Sequence, residues 1–183
     1  FNIIDSKLHY IKFSGEFEGR DTRPILDATL EINGEKLKIY NVHFPSGFHD
    51  VSMRIDSLDV LSGLLNRHNY PTIALGDFNV NTKEDNKLNI YKSQEVFWSV
   101  AHIYACDDCK GSYYYNYGKT WEFLDTIFLS KDRGISYIED TIEIYRTKSN
   151  SYNDTGKPIN FNPTKKYGIS DHLPMVARFE IFN

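Results

Sequence analysis

Pro71-Thr72-Ile73-Ala74-Leu75-Gly76-Asp77-Phe78-Asn79 is the stretch that decides how this chain is read. Its opening run is apolar on both parities, the pattern of a strand covered on both faces. It ends abruptly in Gly76-Asp77-Phe78-Asn79, so polar side chains are held at the tip of a rigid central strand.

Upstream, Val51, Ile55, Leu58, Leu61 and Leu65 recur at three- and four-residue steps between Asp50 and Arg67. That spacing predicts a helix with one apolar stripe, with Asp50 as its N-cap. Before it, Pro24–Ile32 and Lys36–His43 flank Asn33-Gly34. Asn-Gly supplies the positive φ angles of a tight turn, so the two runs read as a hairpin that delivers His43 to a strand end. Alternation through Leu8–Phe13 predicts another strand. Downstream, a helix is expected around Tyr91–Val100. Strands are expected over Trp121–Leu129, Ile135–Tyr145 and Leu173–Phe182, the last alternating Met175, Ala177, Phe179 and Ile181. The span Lys148–Lys166, with Pro158 and Pro163, reads as a long irregular loop, a kind of segment that is usually functional or mobile.

The 183 residues fit a single domain able to bury a core without disulfides. An aromatic share of 15%, from 13 Tyr, 12 Phe and 2 Trp, suits strands packed face to face and argues against an all-helical fold. The net charge of −4 provides no global basic field for nonspecific nucleic-acid binding. It leaves a nuclease open, because divalent cations in a cleft bring positive charge to the phosphate. No apolar run approaches the roughly 18 residues of a membrane span, and no signal-peptide pattern is visible. Cys106 and Cys109 bracket Asp107-Asp108. A zinc site needs about four ligands, and even with His102 as a third the set is short, so a local disulfide or two free thiols is the simpler reading. The compartment stays open. The chain starts at Phe1 on sequence that already looks structured, Asn2-Ile3-Ile4-Asp5, and a segment upstream is expected.

Polar residues gather where expected strands end: His43 in Asn41-Val42-His43, Asp77 and Asn79, Asp125 in Phe123-Leu124-Asp125-Thr126, and Asp171-His172 in Ser170-Asp171-His172-Leu173-Pro174. Singly, a strand-end His is more often a structural residue and a turn Asp more often a backbone cap. Together with a metal they can supply what phosphate-ester hydrolysis requires: a base for water, a cation to neutralise the phosphoryl oxygens and a proton or charge for the leaving oxygen. On an extended segment Asp77 and Asn79 would point to the same side. A His oriented by a buried carboxylate keeps one tautomer and a raised pKa, and Asp125 is the candidate carboxylate.

These residues resemble the endonuclease/exonuclease/phosphatase superfamily. Gly76-Asp77-Phe78-Asn79 after an apolar strand and Ser170-Asp171-His172-Leu173-Pro174 opening the last one look like its two signature motifs. Trp121–Asp125 and Asn41-Val42-His43 are similar to two further family segments, in the same order. The resemblance implies an α+β fold, a four-layer α/β/β/α sandwich of two mixed β-sheets, formed by one domain over 1–183 that lacks its N-terminal strands. It implies a metal-dependent hydrolase in which Asp77 activates water, Asn79 positions it or the phosphate, His172 and His43 contact the phosphate, and Asp125 orients His172. Asp171 would help hold a divalent cation, normally Mg2+ or Mn2+, as oxygen ligands suit a hard ion.

The family's metal-site Asn and Gln-Glu motif should lie upstream of Phe1. Gln94-Glu95 matches that dipeptide in letters but in the wrong order along the chain, and Glu95 reads as a solvated helix residue. The resemblance implies a phosphodiesterase, nuclease-like, acting on a phosphate ester such as nucleic acid. A phosphomonoesterase or a sphingomyelinase-like enzyme, with Tyr113–Tyr117 as an aromatic hairpin, remains an alternative. So does a non-catalytic binding module. An inositol-polyphosphate phosphatase is disfavoured, because Thr126 stands where that branch carries an Arg.

Overall fold

The computed structural model describes residues 1–104, 106 and 109–182. Strands β1 (Asn2–His9), β2 (Ile25–Ile32) and β3 (Glu35–His43) run antiparallel to one another in turn. Ile32 stands opposite Glu35. The Asn33-Gly34 turn between them has φ of +53° and +86°, the backbone a two-residue hairpin demands. β1 lies earlier than the alternation suggested. Its Ile3, Ile4 and Leu8 are exposed, whereas Ile11 and Phe13 leave the strand and enter the core. Backbone pairing with β2, more than burial, therefore holds β1.

Helix α1 (Val51–Leu64) continues as a 3-10 turn, Leu65–Arg67, and Asp50 caps it by accepting the Ser52 N–H at 2.9 Å. Leu58, Leu61 and Leu65 are buried as the stripe implied, but Val51 and Ile55 sit at its margin and Met53, Arg54 and Ser57 lie deep. Arg54 tolerates this position because its guanidinium is ion-paired with Glu84 and donates to the carbonyls of Pro45, Ser46 and His49. The α1 crossover makes β4 (Thr72–Asp77) parallel to β3.

The helix expected around 91–100 forms only over its first part, and a strand takes its end. Helix α2 (Thr82–Leu88) ends at Asn89 in the left-handed conformation, φ +52°; α3 (Ile90–Gln94) follows, and then β5 (Trp98–Val100). Trp98 and Val100 are fully buried on a strand, and so short an apolar run carries no decisive period. Glu95 caps α3 beside Lys92. After α4 (Ala101–Tyr104), Cys106 and Cys109 are joined as a disulfide; Asp107 and Asp108 lie outside the described residues. His102 is no third metal ligand here: its Nδ1 is 2.9 Å from Thr126 Oγ1 and its ring stacks on Phe123.

Each long downstream strand is split. The first becomes β7 (Thr120–Glu122), hairpin partner of β6 (Tyr113–Tyr115), and β8 (Asp125–Ser130). The second becomes β9 (Ile135–Tyr137) and β10 (Glu143–Ile144), and the last becomes β11 (Met175–Val176) and β12 (Phe179–Ile181). The result is a mixed α/β architecture around a six-stranded sheet in the order β1-β2-β3-β4-β8-β5. On one face, Tyr40, Val42, Ala74 and Phe128 pack beneath Leu58 and Leu61 of α1. On the other, Leu37, Ile73 and Leu129 meet Ile135 and Tyr137, while Ile39, Leu75 and Ile127 are only partly covered. This second layer consists of the pairs β9–β12 and β10–β11 rather than another broad sheet. No helix among the described residues is long and apolar enough to cross a membrane.

Candidate active site

β3, β4 and β8 are consecutive in the sheet, and their register sets out the site: His43 is the Cα partner of Asp77, and Asp77 of Asp125. Directly opposed residues on neighbouring strands point to the same face. The three side chains therefore form a row at one end of the sheet, on the face that also carries Ile39, Leu75 and Ile127. His43 Nε2 lies 3.5 Å from Asp77 Oδ2.

Gly76 brings β3 and β4 into this register. Its φ is +133°, and a Cβ built there would stand 2.1 Å from the Val42 carbonyl oxygen, so only glycine fits. Phe78 anchors the motif from the other side: it is fully buried, stacks on Phe128 at 4.4 Å, and its N–H donates to Leu124 O at 2.8 Å. With Phe78 fixed below, Asp77 is held at the surface end of the core.

His172 arrives from the far end of the chain. Leu173 N–H donates to Ser112 O at 2.7 Å, and Ser112 Oγ accepts the Asp125 N–H at 3.1 Å, so one buried serine ties the two segments together. His172 Nδ1 then lies 2.6 Å from Asp125 Oδ2, and its ring packs 5.0 Å from that of Tyr113. With Nδ1–H given to the carboxylate, Nε2 is the nitrogen left for a substrate.

Burial is the largest influence on each titrating group. Asp77 is pushed up to about 6 by burial and by the Asp125 charge, against the pull of His172, the Asn79 N–H bond at 2.8 Å and Arg23. Burial alone would lower His172. The Asp125 hydrogen bond and the charges of Asp125, Asp77 and Asp171 outweigh it and hold the imidazole above its ordinary value. His43 is lowered, by burial and by Arg23 and His172. The row thus combines a carboxylate of raised basicity, one imidazole held above its ordinary pKa and a second held below it.

Of the residues singled out in the sequence, His43, Asp77, Asp125 and His172 come together. Asn79 sits beside them but not on an extended segment: β4 stops at Asp77, Asn79 has φ +55°, and its side-chain amide donates to Phe44 O at 3.0 Å. Asp171 is exposed at the rim. Ligand atoms of Asp77, Asp125 and His172 lie within 4.8 Å of one another, a group that can hold a metal ion, and Asp171 is outside that group. Two like-charged carboxylates in adjacent register are chemically suited to a hard cation, which would relieve their repulsion. Ser112 and Tyr113 were not legible as site residues. Tyr113 sat within an aromatic run, and Ser112 carried no pattern at all.

No protein-family model matches the chain, and no curated protein sequence matches it. Solved structures do match its fold. An endonuclease/exonuclease/phosphatase family protein from Leptotrichia buccalis superposes with a TM-score of 0.62 at 19% identity, over 98% of this chain and 62% of its own. TDP2 from D. rerio, complexed with a single-strand DNA product, gives 0.66 at 16% identity, over 97% and 68%. A mannosyl-6-phosphatase from Bacteroides thetaiotaomicron gives 0.55 at 16%, over 98% and 67%. The chain spans about two thirds of the length of these structures, and its fold is the one they share.

Proposed function

We propose, from this endonuclease/exonuclease/phosphatase fold and the row at its sheet end, that the chain is a divalent-metal-dependent phosphoesterase hydrolysing a phosphodiester, nuclease-like in substrate. The observation that carries the reading is the register-locked alignment of His43, Asp77 and Asp125, closed by the 2.6 Å contact of Asp125 with His172. The full four-layer sandwich expected from the sequence belongs to the same proposal.

Asp77 takes a proton from the attacking water: Oδ1 is held by the Asn79 N–H, which leaves Oδ2 for the reaction, and a pKa near 6 suits a base working at neutral pH. His172, oriented by Asp125 and with its proton affinity raised by that carboxylate, can present Nε2–H to a phosphoryl or leaving oxygen. His43, neutral beside Asp77, offers a hydrogen bond without adding a second positive charge. Asn79 fixes the Asp77 carboxylate through its backbone. Mg2+ or Mn2+ would be held by the Asp125 carboxylate with Asp171 at the rim, leaving Asp77 Oδ2 to the water, and would supply positive charge to the phosphoryl oxygens. The TDP2 neighbour with its single-strand DNA product supports nucleic acid as the substrate. A binding module has no use for an Asp held near pKa 6 beside an oriented His pair, which favours an enzyme.

The test is a panel assay with Mg2+ against plasmid DNA, an abasic-site duplex, RNA, sphingomyelin and inositol phosphates. Cleavage of a nucleic acid supports the reading. Hydrolysis of sphingomyelin or inositol phosphates alone would move the substrate to those classes, and no hydrolysis with any divalent ion would leave the binding module.

A further inference from the structure

Beside His172 the long loop and the β6–β7 hairpin enclose a pocket of about 400 Å³, within the range of about 300–1,000 Å³ typical of small-molecule sites. Tyr113 belongs both to its wall and to the packing of His172, and Asp171 stands at the boundary between the two. A phosphate held at His172 would therefore carry the rest of its molecule past Tyr113 into this space.

The walls are built in advance. The bridges Ser151↔Pro158 and Asn162↔Tyr167 brace the loop, and Ile159 N–H donates to Asn150 O at 2.8 Å. Gly168, with φ +75°, lets the backbone pass where a Cβ would stand 2.2 Å from Asn160 O. On this frame Phe161 is left 60% exposed, and Tyr152 and Tyr167 47% each. Large rings held in the open around a polar pocket are surfaces for another flat group. Lys157 lies 3.8 Å from the centre of the Tyr114 ring, placing one positive charge at the wall. Asn160 and Asn162 also line it; the Asn162 Oδ1 accepts the Lys165 N–H at 2.9 Å, which leaves its NH2 to donate.

We propose that this pocket seats the nucleotide adjoining the scissile phosphate of a single-stranded nucleic acid, its base stacked on the exposed rings of Phe161 and Tyr152 and its backbone phosphate paired with Lys157. The proposal rests on the phosphodiesterase reading and names its substrate subsite. Rings, amide edges and a single cation together match a base on a phosphate chain, whereas a bare phosphate would use the cation alone.

The test measures binding, not turnover. A fluorescein-labelled single strand of roughly eight nucleotides is titrated with the chain by fluorescence anisotropy, with chelator present so that nothing is cleaved. Phe161→Ala and Tyr152→Ala should each weaken binding by about 5- to 150-fold, and Phe161→Tyr, which keeps a ring, should restore it. Lys157→Ala should reduce the salt slope, log Kd against log salt, by about 0.7. A base-free deoxyribose-phosphate strand of the same length should bind the unaltered chain as weakly as Phe161→Ala binds the normal strand. Unchanged affinity in both ring variants, or equal affinity for the base-free strand, overturns the subsite. A chain that binds through these rings yet hydrolyses no ester with Mg2+ would sink the enzyme reading and keep the pocket. Hydrolysis of single strands with unaffected binding in the variants would do the reverse.

Discussion

Replacing Asp77 by Asn should make the metal-free chain more stable while removing its activity. In the folded chain Asp77 titrates at about 6, against 3.8 for the free side chain. Folding therefore binds its proton more tightly than unfolding does. Stability contributed by this group therefore falls as pH rises from about 4 to about 6, and stays lowered above that. A difference of about two pKa units is worth about 3 kcal/mol. Asn carries no charge to repel Asp125, and its Oδ1 can still accept the Asn79 N–H, which lies at 2.8 Å from Asp77 Oδ1. Urea unfolding in chelator should show the variant more stable by up to about 3 kcal/mol near pH 7.5, by about half that near pH 5, and by nothing near pH 3.5. Turnover with saturating Mg2+ should meanwhile drop by about 10²–10⁴-fold. A variant less stable than the parent near pH 7.5 would mean that the fold favours the ionised carboxylate, and the argument for Asp77 as a raised-pKa base would be refuted.

Asp125→Asn removes the partner that lifts His172, so burial should prevail and the His172 titration midpoint, followed by NMR, should fall below that of the parent; an unmoved midpoint would show that Asp125 does not set the imidazole's charge. Gly76→Ala puts a Cβ 2.1 Å from the Val42 oxygen at φ +133°, and thermal unfolding should register at least the about 1–3 kcal/mol of a strained backbone residue, with activity lost although no catalytic group has changed. Arg54→Met deprives three loop carbonyls and Glu84 of their partner, and should cost about 3–5 kcal/mol in denaturant unfolding.

The sequence revealed most where the signal was local. Asn33-Gly34 specified its hairpin to within a residue because the turn's positive φ angles admit few residue pairs. The run from Pro71 to Asp77 read as a central strand because both its parities are apolar. Elements shorter than one clear period were lost: Trp98–Val100 passed for helix, and the breaks at Phe123-Leu124 and around Asp140 could not be seen, because tertiary pairing and not propensity ends those strands. His43, Asp77, Asp125 and His172 were legible as strand-end polar residues. What joins them was not. The parallel register of β3 on β4 depends on the α1 crossover, and the Ser112 tie between Asp125 and the His172 segment spans parts of the chain that share no pattern. Arg54 was hidden for the same reason: its burial depends on Glu84 and on three carbonyls brought in by a loop.

On the proposed function, the row closed by His172 would perform metal-dependent hydrolysis of phosphate esters. Cleavage of a labelled single-stranded oligonucleotide by the parent chain and by His172→Ala, each with Mg2+ and with chelator, tests it most directly. The parent should cleave and stop when the ion is chelated, and His172→Ala should be at least about 10²-fold slower at saturating Mg2+. Cleavage by His172→Ala at the parental rate, or by the parent at an undiminished rate in chelator, would contradict it.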